Sequence, residues 1–257
     1  MIHNHDSRHL GPGERLRPEP HWRPGRHSGS ADPRRQQTVE ADNVGGVTHS
    51  RAHWVFATAY DPMTRSLERA ILGPRRVRLL ASLEGQVLDV GAGTGANLPY
   101  LRQASRVVAT EPDAAMRRRL AARLAQVAVP VELSSDPAER LRYADASFDA
   151  VVFTLVLCSV ASPDRALAEA RRVLRPSGRL IVLEHVRGTG TLARWQDRVT
   201  PLWSLLNAGC HPGRDTAEAI QRAGFTFERA EYSDPYPRLV PARPILEAVA
   251  RPLGPAD

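Results

Sequence analysis

Residues 87–97 read VLDVGAGTGAN. A short apolar run ends on an acid, Asp89, and passes almost at once into Gly91, Gly93 and Gly95. This pattern predicts a strand and a tight loop, with a helix beginning near Asn97. Alternate glycines permit positive φ and let a ligand approach the backbone, and a helix start presents free N–H groups. The spacing by itself fits several nucleotide-binding loops and also a plain turn.

Outward from this loop, strands and helices alternate. Arg106 to Thr110 reads as a second strand ending at Glu111-Pro112, and Asp113 opens an alanine- and arginine-rich helix to about Ala128. Val131 to Ser134 is a short third strand. Phe148 to Leu157 is a nearly continuous apolar strand, as expected for the buried centre of a parallel sheet. Ser162-Pro163 starts a helix to Leu174, and Pro176 to Gly178 turns the chain into a strand from Arg179 to Glu184. A helical stretch from Leu192 to Leu206 follows. Asp215 with Glu218 opens a short helix closed by Gly224, and residues 225–231 and 246–251 read as two final strands. The alternation predicts an α/β fold with a doubly wound, mostly parallel sheet.

Upstream, residues 52–83 carry Trp54, Phe56, Tyr60, Leu67, Ile71, Leu79 and Leu80 at helical spacing, broken at Asp61-Pro62 and Gly73-Pro74. Residues 1–48 are rich in Pro, Gly, His, Arg and Ser and are expected to form a disordered tail. His3, His5 and His9 are read as tail residues, and no metal site is expected.

The 257 residues suffice for one α/β domain with an appendage. The formal charge of +7 comes wholly from arginine and is spread among acids, the pattern of a solvated surface and not of a nucleic-acid site. The two cysteines, Cys158 and Cys210, form neither a disulfide framework nor a paired zinc spacing. The longest apolar run, residues 150–161, falls short of the ~20 residues that span a bilayer, and no secretory signal is recognised. A cytoplasmic location is expected.

Glu111 ends the strand beside the one carrying Asp89, so both carboxylates face one crevice. A carboxylate there can accept both hydroxyls of a ribose. A nicotinamide-dependent dehydrogenase remains open on these residues alone.

The wider pattern narrows the choice. VLDVGAGTGAN, ATEPD, SFDAVVFTLVLCSV and RVLRPSGRLIVLEHV resemble, in order and spacing, the class I S-adenosylmethionine-dependent methyltransferases with a type 11 core. TLVLCSV, LEHV and WSLLNAGC with a following Arg-Asp extend the resemblance to the branch containing the methyltransferase-like thiol S-methyltransferases. It implies a Rossmann-like seven-stranded sheet with an antiparallel last strand and helices on both faces, over residues 49–257. Residues 49–84 would be leading helices and residues 191–214 an acceptor-side insertion.

The resemblance also implies roles. Asp89, Gly91, Gly93, Gly95 and Asn97 would cradle the methionine part of S-adenosyl-L-methionine, and Glu111, with Pro112 beside it, would hold the ribose. Asp136, Ala138 and Glu139 would lie by the adenine, with Pro137 standing where many relatives have Asp. Thr154 and Leu155 would line the sulfonium. Asp89 as a cap of its own loop, Glu111 as an exposed strand end and Thr154 as a core residue are the competing readings. Cys158 reads as a small core residue.

His185 and Tyr60 are the catalytic candidates, His185 as a base for an acceptor proton, against a hydrogen-bonded strand-end histidine. His53, His211 and Arg214 are candidates for a lid or acceptor pocket. The implied activity is methyl transfer to a small molecule, a thiol first. The alternatives are O-, N- or C-methylation of a quinone, lipid headgroup or secondary metabolite, and a non-catalytic S-adenosylmethionine-binding protein.

Overall fold

The computed structural model describes residues 67–254. The readings of a disordered tail, of His53 and of Tyr60 lie outside the described residues. Seven strands form one sheet in the order β3-β2-β1-β4-β5-β7-β6. They are β1 (Gly85–Val90), β2 (Ala104–Thr110), β3 (Val131–Ser134), β4 (Phe148–Thr154), β5 (Leu174–His185), β6 (Phe225–Ser233) and β7 (Ile245–Pro252). All pairs from β3 through β5 are parallel, and β7 runs antiparallel to both its neighbours. The expected doubly wound sheet with an antiparallel last strand is what forms.

Strand side chains alternate between two cores, as the period of two requires. Leu88, Val90, Val151, Phe153, Leu180 and Val182 face one side, where Leu167 and Val173 of α3 (Pro163–Val173) and Ile220 of α5 (Thr216–Arg222) cover them. Val87, Val107, Val152, Ile181 and Leu183 face the other, against Leu79 and Leu80 of α1 (Gly73–Leu80) and Leu120 of α2 (Ala114–Arg123). The central strands are buried on both faces, so they read as continuous apolar runs. Arg78 of α1 donates to both carboxylate oxygens of Glu247 on β7 at 2.9 Å, which pins α1 to the sheet.

Several boundaries differ from the sequence expectation. No α-helix follows the glycine loop: turns lead into a single 3-10 turn, Leu98–Tyr100, with Pro99 inside it. The Gly73-Pro74 break does not form, because Pro74 sits in the first turn of α1, where its missing N–H has no intrahelical partner to lose. A π-helical segment, Glu68–Leu72, runs straight into α1. The helix opened by Asp113 tightens to a 3-10 turn at Leu124–Gln126 and ends before Ala128. β4 stops at Thr154 because Leu155 turns to φ 59°. β5 begins at Leu174, with the predicted turn at Pro176 to Gly178 accommodated as a register shift against β4.

The insertion is α4 (Gly190–Leu206) and the loop after it, and a buried amide helps to hold it. Gln196 Nε2 lies 2.8–3.1 Å from the carbonyls of Val186, Pro212, Pro241 and Arg243, and its Oε1 accepts from Gly188 N–H at 2.8 Å.

Candidate functional site

The strand order reverses between β1 and β4, and ligands of open α/β sheets bind at the carboxyl ends of strands beside such a switch. Asp89, Glu111 and Thr154 stand at the ends of β1, β2 and β4 around that point.

The glycine loop is fixed by backbone bonds: Ala92 N–H donates to Thr110 O and Gly95 N–H to Ala92 O, each at 2.8 Å. Gly93 has φ 58° and nothing within 4 Å of where a Cβ would stand, so its backbone borders open space. Its N–H donates to Glu111 Oε2 at 2.8 Å, and Asp113 N–H donates to Glu111 Oε1 at 2.8 Å. Glu111 is thus buried and oriented at the loop, not an exposed strand end. Burial raises its pKa, and the two backbone donors pull the other way.

A second knot lies beneath the loop. Asn97 Nδ2 donates to Asp89 Oδ1 at 2.7 Å and to Thr154 Oγ1 at 2.9 Å. The Arg76 guanidinium of α1 donates to Asn97 Oδ1, to Thr154 Oγ1 at 3.0 Å and to Glu68 Oε1 at 2.8 Å. Asp89 Oδ2 is buried with no partner. Burial raises the Asp89 pKa to about 7 in spite of the Asn97 hydrogen bond and the Arg76 charge. A buried carboxylate oxygen with no donor to accept from is costly unless something else completes it.

The turn after β4 depends on Glu184. Leu155 occupies the left-handed region, and its N–H donates to Leu183 O at 2.8 Å. The fully buried Glu184 carboxylate then accepts the N–H groups of Val156 at 2.7 Å, Leu157 at 2.8 Å and Cys158 at 3.3 Å. Burial pushes its pKa up to about 7, opposed by those three donors.

Cys158, His185 and Cys210 meet just beyond that turn. His185 Nδ1 lies 4.0 Å from Cys158 Sγ and 3.6 Å from Cys210 Sγ. Both thiols are buried and unpaired by any disulfide. The proximity of the two thiols, with His185 beside them, holds the Cys210 thiol well below its ordinary value, and the same proximity together with burial pushes the Cys158 thiol up. Tyr236 packs edge-on to His185, ring centroids 6.0 Å apart.

In the loop after β3 the side chains read as lying by the adenine have partners within the protein. Asp136 is buried and binds Arg142 through Nε at 2.6 Å. The Ala138 methyl packs in the core, and Glu139 Oε1 accepts the Ser162 N–H at 3.2 Å. Pro112 precedes the Asp113 cap of α2 and is exposed on the rim. His211 Nδ1 lies 2.6 Å from Gly209 O, and Arg214 donates to Leu157 O and Val160 O at 2.6 and 2.8 Å. Arg214 thus braces the loop against the turn after β4, and the His211 ring contact lies within the loop itself. Sequence reasoning missed Arg76 and Glu184. For Glu184 the signal available was an acid closing the apolar run Leu180–Leu183, whereas Arg76, between Arg75 and Arg78, has no such mark.

Residues 88–182 match the family described as a methyltransferase domain. The thiol S-methyltransferase TMT1B of Rattus norvegicus is 34% identical over 169 residues, covering 63% of this chain and 69% of that protein. The ubiquinone/menaquinone biosynthesis C-methyltransferase UbiE of Burkholderia mallei is 33% identical over 153 residues, covering 58% and 63%. Among solved structures, the 1,6-didemethyltoxoflavin N1-methyltransferase of Burkholderia thailandensis, crystallised with S-adenosylhomocysteine, has a TM-score of 0.54 at 19% identity over 82% of this chain and 94% of that one. The last likeness shows the fold. Identity of a third over more than two thirds of a relative's length shows kinship: the chain belongs to the class I S-adenosylmethionine-dependent methyltransferases.

Proposed function

We propose that this chain transfers a methyl group from S-adenosyl-L-methionine to a small-molecule acceptor, with a thiol as the first candidate. The observation that carries the reading is the buried, unpartnered Asp89 Oδ2 beside the open backbone at Gly93. A cationic amino group suits that oxygen, and the donor's methionine part has one. Asp89, Gly91, Gly93, Gly95 and Asn97 would hold that part, and Glu111, beside Pro112, the ribose. Backbone at Asp136 and Ala138 is left for the adenine, and Thr154 and Leu155 for the sulfonium side.

When bound, the donor supplies a methyl group already activated on a sulfonium. The protein's task is therefore alignment and the exclusion of water, and proximity can supply several kcal/mol. Glu184 fixes the Leu155 turn that would face the reacting atoms, and Arg76 fixes Thr154 through its hydroxyl. His185, its Nδ1 turned toward the two thiols, is the side chain proposed to act on the acceptor proton. Tyr60 stays a candidate from the sequence. Residues 49–257 make up the proposed domain, with 191–214 on the acceptor side. A thiol acceptor is supported by the named activity of the rat relative. No helix among the described residues is long and apolar enough to cross a membrane. We place the chain in the cytoplasm because both cysteines are free. Several of its arginines are paired with acids, as in Arg172 with Asp145 and Glu169, which favours a small acceptor over a polyanion.

Calorimetric titration with S-adenosylmethionine and S-adenosylhomocysteine, followed by turnover of methyl-labelled donor with thiols, phenols, quinols and amines, tests the reading. Binding with methylation of thiols supports it. Absence of binding overturns it, and methylation of another class replaces the acceptor. Binding without turnover on any acceptor identifies a donor-binding protein.

A further inference from the structure

Cys158, His185 and Cys210 come from three separate segments: the turn after β4, the end of β5 and the loop after α4. One ligand atom of each lies within 4.8 Å of the other two, and this is the one such group found among the described residues. Zinc binds sulfur at ~2.3 Å and imidazole nitrogen at ~2.0–2.1 Å, so neighbouring ligand atoms of a tetrahedral site stand roughly 3.5–3.8 Å apart. The distances from His185 Nδ1 to the two sulfurs, 3.6 and 4.0 Å, sit close to those edges.

One nitrogen facing two sulfurs is better explained by an ion at the centre than by a hydrogen bond. A neutral imidazole nitrogen has a single proton or a single lone pair to offer. The framework around the three groups does not depend on their contact with one another. Glu184 Oε2 accepts the Cys158 N–H at 3.3 Å, Cys158 O accepts the His211 N–H at 2.8 Å, and Cys210 N–H donates to Asn207 O at 3.0 Å. Arg214 locks the carbonyls of Leu157 and Val160 on either side of Cys158. Such prior support of the ligands is what a metal site needs.

Two thiolates and an imidazole select zinc over magnesium or calcium, which require oxygen donors. The chain offers three ligands where a tetrahedral ion takes four. Two other donors on these segments are committed: the Glu184 carboxylate to three backbone N–H groups, and His211 Nδ1 to the side of Gly209 O. A site with two cysteines, one histidine and an open fourth position has the ligand pattern of catalytic zinc.

We propose that Cys158, His185 and Cys210 hold one zinc ion whose open fourth position takes the acceptor thiol as its thiolate. The identity of the acceptor rests on the thiol methyltransferase reading above; the metal site does not. On binding, the thiol's S–H bond breaks, a sulfur–zinc bond forms and the proton leaves to solvent, since a thiol on zinc is deprotonated at neutral pH. The ion then keeps a nucleophilic thiolate beside the Leu155 turn without a dedicated base, in a buried place where a free thiolate would be poorly solvated.

The full chain, produced with zinc in the medium, is expected to carry close to one zinc per chain by elemental mass spectrometry. Cys210→Ser and Cys158→Ser are expected to lose at least nine-tenths of it while still binding S-adenosylhomocysteine in calorimetry, which reports an intact fold and donor site. Cobalt(II) exchanged into the wild-type chain is expected to give intense tetrahedral bands, and these should shift when 2-mercaptoethanol is added. A folded, S-adenosylhomocysteine-binding chain without metal overturns the site, as does metal retained by both serine variants or an intact-mass loss of two hydrogens from a Cys158–Cys210 disulfide. Cobalt bands unmoved by the thiol overturn the open position. A chain that binds zinc but not S-adenosylhomocysteine keeps the metal site and refutes the methyltransferase reading instead.

Discussion

Asn97 Nδ2 stands 2.7 Å from Asp89 Oδ1, and Oδ2 of the same carboxylate is buried with nothing to accept from. Asn97 therefore orients Asp89 and leaves half of it for a ligand. Asp89→Asn keeps the shape and removes the charge. Loss of a charge-assisted hydrogen bond is expected to weaken S-adenosylmethionine by about 1.5–3 kcal/mol, roughly 10- to 150-fold, by calorimetry. Thermal stability of the free protein should hold or rise, because a poorly solvated carboxylate is gone.

The raised Asp89 pKa gives this site a pH dependence. Burial favours the neutral acid in the free protein, so this residue's contribution to stability is present at low pH and is lost as pH rises toward about 7. A cationic amino group at Oδ2 favours the ionised form instead. Donor affinity is expected to increase about tenfold between pH 6 and pH 8, with protons released on binding below neutrality. Calorimetry in buffers of different ionisation enthalpy measures that release, and a flat profile would remove Asp89 from the contact.

Two glycines of one loop should fail in different ways. At Gly93 a methyl group meets nothing within 4 Å. Gly93→Ala is expected to lose about 1 kcal/mol to its positive φ, yet to abolish donor binding by filling the open side. At Gly95 an added Cβ would stand 2.6 Å from Leu120 Cδ1, so Gly95→Ala should lower the unfolding midpoint further. Paired urea denaturation and binding curves separate the two outcomes.

Glu184→Ala strips the acceptor from three backbone N–H groups. Each buried donor left unsatisfied costs about 1–3 kcal/mol, so a loss of several kcal/mol is expected in chemical denaturation. Glu184→Gln should recover part of it, since an amide oxygen still accepts from the Val156 and Leu157 side while the amide nitrogen cannot accept from Cys158.

Arg76→Leu tests the guanidinium that ties α1 to the ends of β1 and β4. Glu68 and Thr154 lose their shared partner, and Asp89 loses a nearby positive charge. Breaking so buried a contact is expected to destabilise by about 2–4 kcal/mol and to weaken donor binding, both read on the same variant by denaturation and calorimetry.

How far residues could be read from the chain follows the sequence distance of their partners. VLDVGAGTGAN and Glu111 are local signals, since a strand end and its glycine loop need only neighbours to be recognised, and the sheet followed from the alternation of apolar runs. Beyond Glu68, Arg76 acts through groups 21 and 78 residues away, and Glu184 through groups 26 to 28 away, and no local pattern points from one to the other. Cys158, His185 and Cys210 stay hidden for the same reason: at separations of 27 and 25 residues they lack the short spacing that advertises a metal. The helix expected after the glycine loop fails because Pro99 and the turns through Gly95 leave too few residues to nucleate one.

Gln196 joins four carbonyls from both sides of the insertion to a single buried amide. The inner side of the insertion is consequently tied to the domain through Gln196, with the Arg187–Asp197 pair and Arg214 beside it, while the outer surface of its helix, with Leu202, Leu205 and Leu206, carries no such duty. Substitutions on that outer surface are free to vary what the protein greets without retuning the donor end, so long as the one glutamine is kept as the hinge pin of any transplanted segment.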